Sequence, residues 1–271
     1  MISGLIKTSQ DLIYFERYQA VGGVLQRIDP RVKLVSLITL VVVAVLARAI
    51  APLVILFATV TLLSVASRIP LKFFLYRATF FIPIFAAVIA LPLPFITPGT
   101  ILTTISYYGH SLTVTAEGIY KAVLFTFRIW VCVAAMTLLV LTTRFSVIIS
   151  AMERLRFPKV FILMLAVTYR FIYVFLDEAY RILLARESRV VGREGRRQIL
   201  RSLAHIVGTL FIRAYERGER VYGAMVARGY TGEARYIDEM RCTRGDWVFG
   251  GVTASVYLTV ILVQLLHLGG V

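Results

Sequence analysis

The chain has 271 residues, of which 59% are hydrophobic, a mean hydropathy of +0.80 and a formal net charge of +15. That apolar fraction excludes an ordinary soluble domain, and charge-poor windows of about 20 residues match the length a helix needs to cross a bilayer. The positive charge points to basic loops facing anionic lipid rather than to nucleic acid, because the basic residues lie beside apolar spans, and the period-2 pattern of a membrane barrel is absent.

Met1 to Pro30 is a polar lead-in without the apolar core of a signal peptide, so none is expected. It runs into Asp29-Pro30-Arg31-Val32-Lys33-Leu34, where Asp29 suits a helix N-cap and Pro30 a first helical position. Val32 to Leu46 and Pro52 to Ala66 follow as two short apolar spans, turned at Arg48 and Pro52. Arg68 to Arg77 mixes basic and aromatic residues, as an interfacial segment does. Ala78 to Ile96 is a third span, interrupted by Pro83, Pro92 and Pro94, so a kink or a frayed end is expected. Thr97 to Thr115 carries no Lys or Arg and reads as an outside loop.

Gly118 to Leu141 is a fourth span with Arg128 inside it, read as a structural charge bonded to neighbouring backbone or hydroxyl groups in preference to a transport role. From Arg144 to Asp246, Lys and Arg outnumber Asp and Glu, which places the segment on the cytoplasmic side. Three helical patterns fill it: Phe145 to Leu155, Val160 to Glu187 and Arg196 to Arg228. The second begins very apolar, and whether 160–175 enters the bilayer is left open. Trp247 to Leu268 is the last span. Five crossings from a cytoplasmic N-terminus put every basic segment inside. The expected architecture is thus an all-α membrane protein of about five transmembrane helices plus a cytoplasmic helical region. It divides into 1–143, 144–246 and 247–271.

Sites of familiar chemistry do not appear in this pattern. His110, His205 and His267 are scattered, and the spans lack the carboxylates of proton or ion relays. Cys132 and Cys242 show no CxxC spacing, so neither a metal site nor a disulfide is expected, and no cofactor either. What stands out is a pair of arginine-centred segments. Arg181, Ala185 and Arg189 share one helix face; Arg217, Arg220, Ala224 and Arg228 share another. Each segment is followed by a glycine, Gly192 or Gly229. A small residue beside an arginine at a helix end lets the guanidinium enter a partner's groove. From spacing alone, a solvated basic face explains the same residues equally well.

The Asp29 to Leu34 entry, the Tyr169-Arg170-Phe171-Ile172 and Asp177-Glu178 stretch, and Ala224 to Tyr230 together resemble the transmembrane T component of energy-coupling-factor transporters, in its cobalt-type CbiQ form. The resemblance covers nearly the whole chain. It implies a non-catalytic subunit of an ATP-driven importer in a prokaryotic cell membrane. Two ABC-type ATPase subunits would dock on two coupling motifs, and a separate substrate-binding membrane component would take up the movement. The second motif maps to Ala227-Arg228-Gly229. The first maps to Ser188-Arg189-Val190, with Ala185-Arg186-Glu187 one turn earlier as competitor. Cobalt is the implied cargo; nickel or a vitamin, or a non-transport scaffold or assembly factor, are the alternatives. Clustered metal ligands are missing from the sequence, so ion selectivity is expected in the partner. An apolar stripe beside each arginine is expected to supply most of the docking energy, since exposed ion pairs contribute only about 0–1 kcal/mol.

Overall fold

The structure, a computed structural model, describes residues 23–80, 82–107, 110–190, 192, 195–232 and 243–269. Most of the lead-in, Cys242 and the side chain of His267 lie outside the described residues. The helices in chain order are α1 (Val24–Arg27), α2 (Pro30–Leu46), α3 (Ile50–Ala66), α4 (Leu71–Thr79), α5 (Ile82–Ala90), α6 (Leu93–Ile96), α7 (Ala116–Thr142), α8 (Phe145–Arg154), α9 (Lys159–Glu187), α10 (Arg196–Ala227) and α11 (Arg244–Gly269). Between α6 and α7, strands β1 (Ile101–Tyr107) and β2 (His110–Thr115) pair antiparallel, with a register shift between Ile101 and Thr103. Helices make up everything else regular among the described residues, as an all-α membrane protein requires.

Two compact units divide these residues. One takes those within 146–239; the other takes those within 17–145 and 240–271.

In the second unit α7 is the central helix, packed by α2, α3, α4, α5 and α6. Ala134 and Ala135 let neighbours approach its axis closely, and Val131, Leu138 and Leu141 fill the space between. Phe57, Phe127 and Trp130 form an aromatic cluster with centroids 4.6–5.8 Å apart, and the Trp130 indole donates to Thr79 Oγ1 at 3.1 Å. Asp29 caps α2 as expected: its carboxylate accepts from the Arg31 amide at 2.9 Å, and Pro30 opens the helix. The outer faces carry large exposed apolar residues, among them Val45, Leu46, Leu62, Phe85 and Leu258, as lipid-facing helices do.

Four helical stretches are long and apolar enough to cross a membrane: Leu71–Ile96, Ala116–Thr142, Lys159–Glu187 and Arg244–Leu265. The five expected crossings correspond to three of these plus α2 and α3. Those two have 17 residues each, about 25 Å of helix, which is short of a full hydrocarbon core of about 30 Å. The fourth long stretch is α9, whose entry into the bilayer the sequence leaves open.

The prolines in 71–96 act as expected. Pro92 and Pro94 open the short α6 after a turn at 91–92, so the segment is a series of helical pieces rather than one rod. The segment 97–115, by contrast, holds the β1–β2 hairpin, which the charge pattern alone does not reveal. Thr115 joins the hairpin to the helices. Its hydroxyl donates to the carbonyls of Thr97 (2.8 Å) and Pro94 (3.2 Å) and accepts from the Gly118 amide (3.3 Å), capping α7.

Candidate coupling site

Helices α9 and α10 carry both arginine segments and pack on one another as an antiparallel pair. The periodicity of α10 explains this: Ile199, Leu203, Ile206, Leu210, Val221 and Met225 recur at helical spacing and are among the covered positions of that helix. Three polar contacts fix the register. The Arg186 Nε donates to Ser202 Oγ at 2.7 Å; Glu178 pairs with Arg213 and lies 3.8 Å from Arg217; and the Arg217 guanidinium sits 5.9 Å from the Phe175 ring centre. Further out, Asp177 pairs with Arg181 and Glu216 with Arg220, both one helical turn apart on exposed faces.

The two helix ends are built differently. At the end of α10, Arg228 is the C-cap and Gly229 follows with φ +83°. The Gly229 amide donates to Val226 O (2.9 Å) and the Tyr230 amide to Met225 O (3.0 Å), which together make a Schellman motif. This is why Ala-Arg-Gly occurs here: alanine ends the helix, glycine takes the left-handed turn, and the arginine between them is thrown outward. At the end of α9, Ser188 is the C-cap and its hydroxyl bonds back to Leu184 O at 2.9 Å. Arg189 and Val190 continue in a tighter turn, their amides donating to Arg186 O and Glu187 O. Gly192 has φ +88° but comes four residues beyond the cap, so it does not shape this end as Gly229 shapes the other.

The two candidates for the first motif differ in their surroundings. Arg186 is half-buried and its side chain is engaged with Ser202, whereas Arg189 is exposed and its guanidinium makes no hydrogen bond or ion pair with any other described residue. Arg228 is exposed and unpaired in the same sense. Ala185, Ser188, Ala227 and Gly229 are exposed around them. Each arginine also stands at a helix C-terminus, where a cation complements the backbone dipole. Since 186 meets 202 and 178 meets 213, the pair runs antiparallel, and Arg189 and Arg228 fall at opposite ends of it. Along the α10 axis that is a separation on the order of 40 Å.

A feature that spacing did not isolate is a second apolar stripe on α10. Leu200, Val207, Phe211, Tyr215 and Tyr222 are 63–72% exposed and lie about 100° around the helix from the face packed on α9. It reaches Val226, two residues before Arg228. The sequence signals Val207 and Phe211 as apolar but not which face they occupy.

Among the described residues, no three His, Cys, Asp or Glu side chains gather as metal ligands. Arg128 is used structurally: its Nη2 donates to Ala47 O at 2.7 Å, at the C-terminus of α2.

The family model CbiQ, described as "Cobalt transport protein", matches residues 22–237. The chain belongs to the CbiQ family. Beside that match stand individual relatives. An uncharacterized protein of Methanocaldococcus jannaschii is 35% identical, over 97% of this chain and 89% of its own. The energy-coupling factor transporter transmembrane protein EcfT of Ruminiclostridium cellulolyticum is 29% identical, over 92% and 96%. The cobalt transport protein CbiQ of Rhodobacter capsulatus is 30% identical, over 63% and 65%. This CbiQ-family chain is therefore a membrane component of an energy-coupling-factor type transporter. The family match takes in α9, α10 and both arginine ends.

Proposed function

We propose that the chain is the non-catalytic coupling subunit of an ATP-driven importer, and that Arg189 and Arg228 each dock one cassette ATPase. The observation that carries this reading is the placement of two exposed, unpaired arginines at opposite ends of one helix pair. At a separation on the order of 40 Å they cannot share a pocket, so the arrangement calls for two sockets. In each socket the guanidinium fork would meet a carboxylate or backbone carbonyls. The adjoining apolar surface, Tyr222 and Val226 beside Arg228 and Leu184 near Arg189, would supply the larger part of the binding energy.

Closure of the ATPases on ATP would then displace the two ends of the α9–α10 pair. The membrane unit would pass that displacement to a separate substrate-binding membrane protein, which reorients to release its cargo inside. The reading takes 144–246 as cytoplasmic and the hairpin as outside, which the charge bias supports. Cobalt is the proposed cargo, on the family's description and the Rhodobacter relative's name; its selection is assigned to the substrate-binding partner. The test is a detergent pull-down. The chain carrying Arg189→Glu and Arg228→Glu should insert normally and lose the cassette ATPases; undiminished co-purification would contradict the reading.

A further inference from the structure

The Asp29-Pro30-Arg31-Val32-Lys33 entry is more specific than a helix start requires, and the coupling reading leaves it unused. Its charged residues are buried: Lys33 is 1% exposed and Asp29 6%. An ammonium with no partner would be costly at such a site, and here it has partners. Lys33 Nζ donates to Thr143 Oγ1 at 3.0 Å and to Thr142 O at 3.4 Å, at the last turn of α7. Asp29, the N-cap one turn before Lys33, accepts from the Lys33 amide through its carbonyl at 3.2 Å. Asp246, 2% exposed, accepts from the Asp29 amide through Oδ1 at 2.7 Å. Its Oδ2 accepts from the Thr243 amide (2.6 Å) and hydroxyl (2.8 Å). Three helix ends meet here: the start of α2, the end of α7 and the start of α11.

These are the positions where the 146–239 unit leaves and rejoins the membrane unit. The chain departs just after Thr143 and returns just before Thr243. Further along, α2 is tied to the same two helices again. The Tyr257 hydroxyl donates to Ser36 O at 2.8 Å and Gln264 Nε2 to Leu46 O at 2.9 Å, both from α11, while Arg128 of α7 donates to Ala47 O. From Lys33 to Ala47 and from Thr142 back to Arg128 is the same number of residues, so α2 and α7 are matched end to end as antiparallel neighbours.

We propose that Lys33, with Asp29 and Asp246, is the clamp that fixes the two ends of the coupling segment to each other, so that its movement reaches α2, α7 and α11 as one body. The claim rests on the coupling reading. Lys33 is a positioning residue in it and touches neither ATPase nor cargo. Without the clamp, force on the segment separates the ends of α7 and α11 and dissipates there.

The test uses the full chain in nanodiscs, alone and then assembled with its two ATPases and substrate-binding protein. Cys132 and Cys242 are replaced by Ala, and spin labels are placed at Arg144→Cys and Arg244→Cys, where Arg144 and Arg244 are exposed. With Lys33 present, the label distance is narrow and unchanged by ATP. With Lys33→Met it broadens and responds to ATP. ATPase co-purification stays level, while cargo moved per ATP hydrolysed falls by about tenfold, within the range expected for loss of one coupling element. Thr143→Val, which removes only one acceptor, gives a smaller change in the same direction and carries the test if Lys33→Met does not insert. Lys33→Arg, which keeps the charge and the donors, recovers part of the narrow distribution. A narrow, ATP-insensitive distance in Lys33→Met, or unchanged cargo per ATP, overturns the clamp. Failure of the unaltered chain to bind any cassette ATPase overturns the coupling reading instead, and is seen in the pull-down whatever the labels report.

Discussion

At the scale of single residues, the helix ends show how one backbone device serves different sequences. The Schellman turn after α10 uses Gly229, while the same hydrogen-bond pattern after α8 places Arg156 at φ +64°, its amide bonded to Glu153 O and that of Phe157 to Met152 O. Gly229→Val forces a β-branched residue into the left-handed region and should cost about 1–2 kcal/mol locally, seen as faster amide exchange over 222–230. Arg156→Gly should do the reverse. Releasing about 1–2 kcal/mol of left-handed strain outweighs the roughly 0.5–1 kcal/mol of extra chain entropy in the unfolded state, so the melting temperature rises slightly. Gly118 answers a different demand, close approach. A Cβ there would lie 2.3 Å from Thr97 Oγ1 and 2.6 Å from Pro94 Cα. Gly118→Ala should therefore overpack the latch between α6 and α7 and destabilise the membrane unit by about 1–3 kcal/mol, measured by thermal unfolding in detergent.

At the scale of elements, α9 and α10 turn two similar-looking arginines into different objects. Arg186→Ala removes the bond to Ser202 and should speed amide exchange in the first turns of α10, over 196–206. Arg189→Ala should leave that exchange unchanged and weaken ATPase binding instead. Equal effects of the two substitutions on exchange would contradict the assignment. This distinction was illegible in the sequence, because Arg186 and Arg189 differ only in what the antiparallel register brings to them. The helices themselves were legible: Asp29-Pro30 announces α2, Pro158 separates α8 from α9, and Gly229 ends α10. The β1–β2 hairpin was missed because the lack of charge in 97–115 reads as a loop, although 101–107 and 110–115 are rich in the Ile, Thr and Val that favour strands. The Lys33 cluster was visible as a motif, but its partners Thr143 and Asp246 lie over a hundred and over two hundred residues away. Local pattern does not encode such pairings.

At the scale of the whole molecule, the proposed coupling role implies a stoichiometry. On that reading, the exposed arginine at each end of the helix pair is a separate attachment point, and each should hold an ATPase independently of the other. Sites so far apart with no shared side chains lose binding energy additively when altered. The Ala-Arg-Gly end was legible from sequence because glycine fixes its geometry. The α9 end was legible only as a choice between two arginines, since its cap is serine. The most direct measurement is native mass spectrometry of the purified complex in nucleotide-free buffer. The unaltered chain should carry two cassette ATPases, Arg189→Glu or Arg228→Glu alone should carry one, and the double substitution none. Two ATPases retained on the doubly substituted chain would contradict the account.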